Sequence, residues 1–160
     1  MANVNPIPKG YSRVTPYLAV KGADKAIEFY KKILGAEERM RMAGPDGRIM
    51  HAELQIGDAV IMLSEEMPKF GFSSPLSFGG SPVTLYVYVK SVDDVFKAAV
   101  AAGSKVIMEV ADQFYGDRSG SFTDPFGHRW SIATHIEDVP LEEMKRRGQE
   151  MAKKMSQQSA

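Results

Sequence analysis

The stretch Tyr17-Leu18-Ala19-Val20-Lys21-Gly22-Ala23-Asp24 returns later in the chain as Tyr86-Val87-Tyr88-Val89-Lys90-Ser91-Val92-Asp93. The tyrosine, a valine, the lysine and the aspartate stand at equal offsets in both copies. Each copy joins a strand-like run to a turn and a helical pattern, which ends near Gly35 in the first copy and near Gly103 in the second. Because self-similarity constrains the whole architecture, this repeat predicts two related modules.

The first module carries the alternation and the turn signals of one strand, one helix and three further strands. Asp24 is the predicted cap at the start of the helix, and Gly35 is its predicted end. The last two strands are joined by a tight turn at Gly57-Asp58. The predicted strands span residues 13–20, 37–42, 49–56 and 59–64.

The second module repeats this order, with a helix that begins at Ser91 and ends at Gly103. Between the modules, residues 65–82 are rich in proline and glycine and predict an irregular connection, in which Glu65 and Glu66 are expected to be solvated. Pro140 is expected to begin a C-terminal helix. The predicted strands span residues 83–89, 105–110, 119–123 and 129–134.

These patterns predict an α+β fold, in which two βαβββ modules form a curved mixed sheet and a C-terminal helix follows. The predicted organisation has five parts. They are an N-terminal extension (1–11), a single domain (12–138) made of module one (12–66), a linker (67–82) and module two (83–138), and a C-terminal helix with its tail (139–160).

The composition excludes several classes of function. The 20 Lys and Arg residues balance the 20 Asp and Glu residues, so nothing indicates bulk electrostatic binding to nucleic acid or to an anionic membrane. The chain has no cysteine, which excludes disulfides and thiolate metal sites. No apolar run approaches the roughly 18–20 residues of a membrane span, and residues 1–10 lack the apolar core of a signal peptide. We therefore expect a cytoplasmic protein.

Strand alternation assigns the side chains to two faces of the predicted sheet. One face is apolar, with residues such as Leu18, Leu54 and Trp130, and is expected to pack against the helices. The other face mixes polar and aromatic groups, which favours a ligand cavity, although such residues also suit the solvent side of an antiparallel sheet. The predicted ligand-binding residues on this face are Thr15, Tyr17, Gln55, Met62, Thr84, Tyr86, Tyr88 and Ser131.

His51 and Glu53 stand two apart on one strand and therefore share the polar face. Glu53 can orient His51 as a general base, which makes the two residues the candidate catalytic pair, or both can contact a ligand. A polar pair on a wet surface is the alternative. Tyr115 and Arg118 lie in a turn-rich segment, where Arg118 is a candidate clamp for a carboxylate or phosphate, unless it pairs with Asp117 at the surface.

Six stretches of the chain carry a family resemblance. The first module contributes Tyr17-Leu18-Ala19-Val20, Ala26-Ile27-Glu28-Phe29-Tyr30 with Ile33-Leu34-Gly35-Ala36, and His51-Ala52-Glu53-Leu54 with Ile56-Gly57-Asp58, and the second adds Asp124-Pro125-Phe126-Gly127-His128. Together they resemble the vicinal oxygen chelate superfamily, which includes glyoxalase I, bleomycin-resistance proteins, fosfomycin-resistance enzymes and extradiol dioxygenases. The resemblance covers residues 12–138, is nearest to the branch encoded beside phosphonate-utilisation genes, and implies a homodimer that binds a small molecule.

Metal-dependent members of this superfamily place four side chains, usually His, Glu or Gln, on the first and last strands of the two modules. Zinc, manganese and ferrous iron favour imidazole or carboxylate ligands, so hydroxyl and thioether groups do not suit them. The resemblance therefore implies that no metal cofactor is bound at these positions. The corresponding residues are Thr15, Met62 (or Ile61, given a one-residue ambiguity), Thr84 and Ser131.

The leading expectation is a metal-independent small-molecule-binding protein, of the resistance or sequestration kind, for an aromatic or partly apolar ligand. One alternative is a lyase or isomerase of the glyoxalase type, which uses His51 and Glu53 as an acid–base pair. Such an enzyme could instead use a divalent metal at a shifted site formed by His51, Glu53 and His135. A second alternative is a catalytically silent interaction domain whose C-terminal helix docks a partner.

Overall fold

The computed structural model describes residues 4–158. The described chain forms two compact units. The first unit comprises the chain up to Pro82 together with Pro125–His128, and the second comprises Val83–Asp124 and the chain from Arg129 onward. The outer ends of the predicted N-terminal extension and of the predicted C-terminal tail lie outside the described residues.

The first unit contains one four-stranded mixed sheet. Its strand order is β1-β4-β3-β2, in which β1 runs parallel to β4 and the other neighbours are antiparallel. The predicted irregular connection contains a 3-10 turn over Pro68–Phe70 and one short helix. The elements are β1 (Tyr17–Val20), α1 (Ala23–Leu34), β2 (Glu37–Ala43), β3 (Ile49–Ile56), β4 (Ala59–Glu65) and α2 (Pro75–Phe78).

The first strand is shorter than the predicted strand over residues 13–20, because β1 begins at Tyr17. Pro16 has no N–H group to donate to a ladder, and only its carbonyl joins the sheet, by accepting from the Met62 amide at 2.8 Å. Thr15 therefore lies before the strand, where its hydroxyl donates to the carbonyl of Ser12 at 3.2 Å. The prediction that Thr15 stands on the first strand is wrong.

Helix α1 ends as predicted at Gly35, whose backbone adopts the left-handed conformation. Its start differs from the prediction, because Gly22 rather than Asp24 occupies the cap position. Gly22 has no side chain, and the carboxylate of Glu65 at the end of β4 accepts hydrogen bonds from the amides of Gly22 at 2.9 Å and Ala23 at 2.8 Å. Glu65 is therefore a distant N-terminal cap and not a solvated side chain.

Glu66 has a similar role at the next helix. One of its carboxylate oxygens accepts from the amide and the hydroxyl of Ser74 and from the hydroxyl of Ser77, at 2.9, 2.7 and 2.7 Å. These hydrogen bonds lower the pKa of Glu66, chiefly through the Ser74 amide. The expectation that Glu65 and Glu66 are solvated is wrong for both residues.

The second unit repeats the connectivity of the first. Its sheet has the strand order β5-β8-β7-β6, with β5 parallel to β8, so the two units are two βαβββ modules and the α+β prediction is confirmed. Ser91 caps the second-unit helix as predicted, by accepting from the Asp94 amide at 3.5 Å. The elements are β5 (Thr84–Tyr88), α3 (Val92–Ala101), β6 (Lys105–Asp112), β7 (Asp117–Thr123), β8 (Arg129–His135) and α4 (Leu141–Gln158).

The core of each unit contains the apolar side chains that strand alternation assigned to the helix-facing side. In the first unit Leu54 and Leu63 are fully buried. In the second unit Ile132 and Trp130 are buried, and the indole N–H of Trp130 donates to Asp124 at 2.8 Å. Burial of apolar side chains such as these is the main favourable contribution to folding, at roughly 25 cal/mol per Å² of apolar surface.

Helix α4 is held to the second unit near its middle. The guanidinium of Arg147 makes two hydrogen bonds of 2.8 Å to the carboxylate of Glu137, and Gly148 lies against the ring of Phe114. Leu141 and Met151 on the same helix are exposed. Within residues 4–158, none of the helices combines the length and the apolar character that a membrane crossing requires.

Candidate functional site

The polar face of the first-unit sheet carries a row of side chains that comes from neighbouring strands. Tyr17 on β1 pairs with Met62 on β4, and Met62 pairs with Glu53 on β3. Residues paired in this way point to the same side of a sheet. The register therefore resolves the one-residue ambiguity, since Met62 lies on the polar face while Ile61 is buried opposite Leu54.

A chain of hydrogen bonds joins four side chains on this face. The hydroxyl of Tyr17 lies 3.0 Å from Nδ1 of His51, and Nε2 of His51 lies 3.3 Å from Oε1 of Glu53. The other carboxylate oxygen of Glu53 accepts from the hydroxyl of Tyr11 at 2.5 Å. The structure thus brings together the predicted pair His51 and Glu53, adds the predicted Tyr17, and includes Tyr11, which the sequence did not single out.

Glu53 is the buried end of this chain, with 5% of its surface exposed. The hydrogen bond from Tyr11 lowers the pKa of Glu53, and the hydrogen bond with His51 lowers it further. The same contact raises the pKa of Tyr11, because the carboxylate favours the protonated phenol. Arg39 stacks 4.7 Å above the centre of the Tyr11 ring, which adds a cation–π contact. Glu53 is therefore a carboxylate at neutral pH.

A cavity of about 210 Å³ lies beside this face, within the first unit. The rings of Tyr17, Phe72 and Phe78 line it, and Tyr17 meets Phe72 edge to face at 5.2 Å between centroids. His128 also lines it, and its Nε2 lies 3.0 Å from the carbonyl of Ala19. The cavity therefore has aromatic walls beside the hydrogen-bonded chain of Tyr17 and His51.

The second unit carries a different cluster, centred on Asp117 of β7. Asp117 is buried, and its Oδ2 accepts from the hydroxyl of Tyr88 at 2.9 Å and, more weakly, from that of Tyr86 at 3.4 Å. The rings of Tyr86 and Tyr88 are exposed and lie 5.3 Å apart. Although the ring is exposed, partial loss of solvent around the Tyr86 hydroxyl raises the pKa of Tyr86, and a hydrogen bond with Tyr115 raises it further. Three predicted ligand-binding tyrosines therefore meet in this unit.

His135, at the end of β8, completes the second cluster. Its Nδ1 lies 2.8 Å from Oδ1 of Asp117, and its Nε2 lies 3.0 Å from Asp138. Hydrogen bonds to these two carboxylates, first that to Asp117, raise the pKa of His135. The contacts favour an imidazolium that donates from both nitrogens.

The remaining predicted ligand-binding residues have other partners or positions. Gln55 donates to the carbonyl of Gly57 within its own hairpin, and the hydroxyl of Ser131 lies 2.7 Å from that of Ser121. Thr84 is exposed at the start of β5. Arg118 makes two hydrogen bonds to Asp93 and one to Asp112, so its guanidinium is engaged by two carboxylates of its own unit.

Sequence reasoning missed three residues of these clusters: Tyr11, Phe72 and Asp117. Tyr11 precedes the first strand and Phe72 lies in the irregular connection, so neither belongs to a periodic pattern that alternation can assign. Asp117 was expected at most in a surface pair with Arg118, because β7 was predicted to begin two residues later. The tyrosine-rich repeat was the available signal, since buried tyrosine hydroxyls require an acceptor.

The residues at the four positions that the family resemblance implies for a metal do not suit one in this chain. Thr15 uses its hydroxyl to bond Ser12, Met62 offers a thioether, and Thr84 and Ser131 offer only hydroxyls. Divalent first-row metals require sets of imidazole and carboxylate ligands. Among residues 4–158, no group of three or more His, Cys, Asp or Glu side chains is placed to hold a metal ion.

The model of the Glyoxalase/Bleomycin resistance protein/Dioxygenase superfamily matches residues 11–132. The chain belongs to this superfamily. This membership confirms the resemblance to the vicinal oxygen chelate proteins. A relative, the uncharacterised protein Mb0911c of Mycobacterium bovis, is 41% identical over 134 residues, which cover 82% of this chain and 88% of that protein.

Solved structures of the superfamily share the fold. Protein PA1353 from Pseudomonas aeruginosa superimposes with a TM-score of 0.66 at 24% identity, over 79% of this chain and 99% of that one. The fosfomycin resistance protein FosX of Listeria monocytogenes, complexed with Mn(II) and sulfate, superimposes with a TM-score of 0.60 at 20% identity, over 85% of this chain and 96% of that one. Likeness at this level of identity concerns the fold alone.

Proposed function

We propose that this superfamily member binds a small aromatic or partly apolar molecule without a metal, in the manner of a sequestering or resistance protein. The observation that carries the proposal is the cavity of about 210 Å³ whose walls include Tyr17, Phe72 and Phe78. Ligand sites are typically concave and apolar, with a few polar groups that orient the ligand. The hydroxyl of Tyr17 supplies such a group at one wall, where a hydrogen bond of 3.0 Å to His51 holds it.

The cavity is open to solvent, and its size indicates which part of a ligand it can cover. A dry apolar cavity of roughly 150 Å³ accommodates benzene. A cavity of about 210 Å³ therefore suits one aromatic ring with a short substituent. Edge-to-face contacts with Phe72 and Tyr17 can each contribute about 0.5–1.5 kcal/mol beyond the burial of apolar surface.

Metal independence is supported by the donor chemistry of the chain. The residues at the four metal positions are two threonines, a methionine and a serine, in place of imidazole and carboxylate groups. The proposal therefore assigns the orientation of the ligand to Tyr17, which His51 holds in place. A homodimer and a cytoplasmic location stay predictions from the sequence.

A second candidate function is acid–base chemistry on the bound molecule, as in a lyase or isomerase. It is favoured by the hydrogen bond of 3.3 Å between His51 and the buried carboxylate of Glu53. A carboxylate that orients an imidazole is the arrangement that general bases commonly use.

The proposal is tested by NMR titration of the ¹⁵N-labelled, untagged protein with single-ring aromatic compounds. We expect shifts at Tyr17 and Phe72, and a roughly tenfold weaker affinity in Phe72→Ala, which removes one wall. Phe70→Ala is the matched control, since Phe70 lies in the same connection, is 84% exposed and does not line the cavity. Binding that disappears with a chelator, or the absence of binding by every compound, contradicts the proposal.

A further inference from the structure

We propose that Tyr17 is a proton-transfer catalyst, whose phenol oxygen removes a proton from a carbon next to a carbonyl group while its own proton moves to His51. This inference rests on the proposed ligand cavity and adds a reaction at its wall. Three observations support this inference. They are the direction of the hydrogen bonds, the increase in exposure along the hydrogen-bonded side chains, and the position of Tyr17 at the wall of the cavity.

The direction of the hydrogen bonds follows from the buried carboxylate. An ionised carboxylate only accepts, so Nε2 of a neutral His51 carries the hydrogen that Glu53 receives at 3.3 Å. Nδ1 of the same ring is then without a proton and accepts from the hydroxyl of Tyr17 at 3.0 Å. The base that results is Nδ1 of His51, with the Tyr17 phenol as its proton donor.

The exposed fraction of the side chains increases along the row of hydrogen bonds, from the buried carboxylate to the cavity wall, which is the order that a proton relay needs. Glu53 is almost fully buried, His51 is half-buried, and Tyr17 is 43% exposed. Tyr17 lines the cavity, whereas His51 does not border it. A ligand in the cavity therefore meets the tyrosine first, and His51 acts through that tyrosine.

The carboxylate of Glu53 is itself held in place. Tyr11 donates to its second oxygen at 2.5 Å, and this contact keeps the pKa of Glu53 below its usual range. The full negative charge is then available to stabilise the imidazolium that forms when His51 accepts a proton. Glu53 and Tyr11 are positioning residues, because neither lines the cavity.

The step balances without a co-reactant. The C–H bond of the ligand breaks and an O–H bond forms on the Tyr17 oxygen, while the original O–H bond breaks and an N–H bond forms on Nδ1 of His51. The electron pair of the C–H bond moves to the carbonyl oxygen and gives an enolate. Return of the proton to the same carbon exchanges its hydrogen, and return to another atom isomerises the ligand.

The cavity and the relay together define the class of substrate. One aromatic ring fits the walls of Tyr17, Phe72 and Phe78. The ring must carry a short substituent with a carbonyl group and a hydrogen on the neighbouring carbon. Ketones that carry one phenyl ring, such as phenylacetone and acetophenone, are suitable probes.

The test follows the exchange of these C–H hydrogens for deuterium in heavy water, by NMR of the two probes. We expect the protein to accelerate exchange, and Tyr17→Phe and His51→Gln to lose about a hundredfold of that acceleration, which is within the range for general acid–base catalysis. Binding of the probes is measured separately and is expected to weaken far less than the rate in Tyr17→Phe, because the aromatic ring that lines the cavity remains. Glu109→Gln is the control, because this side chain is exposed on β6 of the second unit, and it is expected to keep the rate.

A second measurement needs no ligand. The ¹⁵N shifts of His51 report which ring nitrogen carries the proton, and we expect Nε2–H in the protein and a loss of this preference in Glu53→Gln. A proton on Nδ1 in the free protein overturns the relay. Probes that bind without faster exchange also overturn it and leave the binding proposal intact, whereas probes that do not bind overturn both.

Discussion

The distant cap of helix α1 leads to a quantitative prediction. Glu65 accepts from the amides of Gly22 and Ala23, at 2.9 and 2.8 Å, and these amides have no partner within the helix. Removal of an N-terminal cap costs about 1 kcal/mol on average, and a negative charge at a helix N-terminus contributes about 0.3–1 kcal/mol more. Since two amides lose a charged acceptor, we expect Glu65→Ala to lower the free energy of unfolding by about 2 kcal/mol.

The matched variants separate the charge from the length of the side chain. Glu65→Gln keeps an amide oxygen as an acceptor but loses the charge, so we expect it to lose about 1 kcal/mol. Glu65→Asp keeps the charge but is one methylene shorter, and we expect it to lose nearly as much as the alanine variant. Glu109→Ala is the control, because Glu109 is exposed on β6 and such surface changes stay within about 0.5 kcal/mol.

The assay is urea unfolding followed by far-UV circular dichroism, with thermal unfolding as a second measure. A loss of about 2 kcal/mol corresponds to a decrease in Tm of about 4–8 °C for a chain of this size. If Glu65→Ala unfolds at the same urea concentration as Glu109→Ala, then the two hydrogen bonds contribute nothing and the account of α1 is wrong.

Two further predictions concern the second unit. Gly116 has φ +95, and an added Cβ would lie 2.1 Å from a backbone oxygen, so Gly116→Ala is expected to lower the free energy of unfolding by more than about 2 kcal/mol. Gly57→Ala is the control, with an expected loss of about 1–2 kcal/mol, because nothing lies within 4 Å of an added Cβ there. Equal decreases in Tm for the two variants contradict this prediction. Since hydrogen bonds raise the pKa of His135, its contribution to stability is complete below about pH 6.5 and is lost as pH rises through the folded-state pKa. NMR titration is expected to show a lower pKa of His135 in Asp117→Asn. An unchanged pKa contradicts the hydrogen bond between His135 and Asp117.

Much of the fold follows from local sequence signals. The glycine that ends α1, the serine that caps α3 and the alternation of the strands are properties of neighbouring residues, and each is where the sequence placed it. The stretch from Tyr17 to Asp24 recurs as Tyr86 to Asp93, and this local repeat predicted the same connectivity in the two modules. The predictions were wrong at the ends of elements. Pro16 shortens the first strand, and the start of α1 depends on a tertiary contact with Glu65.

The candidate site was predictable only in part. His51, Glu53 and Tyr17 lie on one face of the sheet by parity, and the sequence identified all three. The hydrogen-bonding partner Tyr11 and the aromatic neighbour Phe72 come from segments without a periodic pattern. Such segments carry no sequence signal that predicts which residues they contact in the folded protein. Glu65 and Glu66 were misjudged for a related reason, since the helices they cap are identified only by the tertiary fold.

The cap of α1 also bears on the order in which the chain folds. Glu65 pairs with Val20 at the end of the parallel ladder between β1 and β4, so its carboxylate reaches the start of α1 only after these two strands align. Strands joined across a long connection pair late, because loop-closure entropy must first be overcome. Interactions formed after the transition state slow unfolding and leave the folding rate unchanged. We therefore expect Glu65, which completes the start of the first helix, to slow the unfolding of the protein while the folding rate stays unchanged.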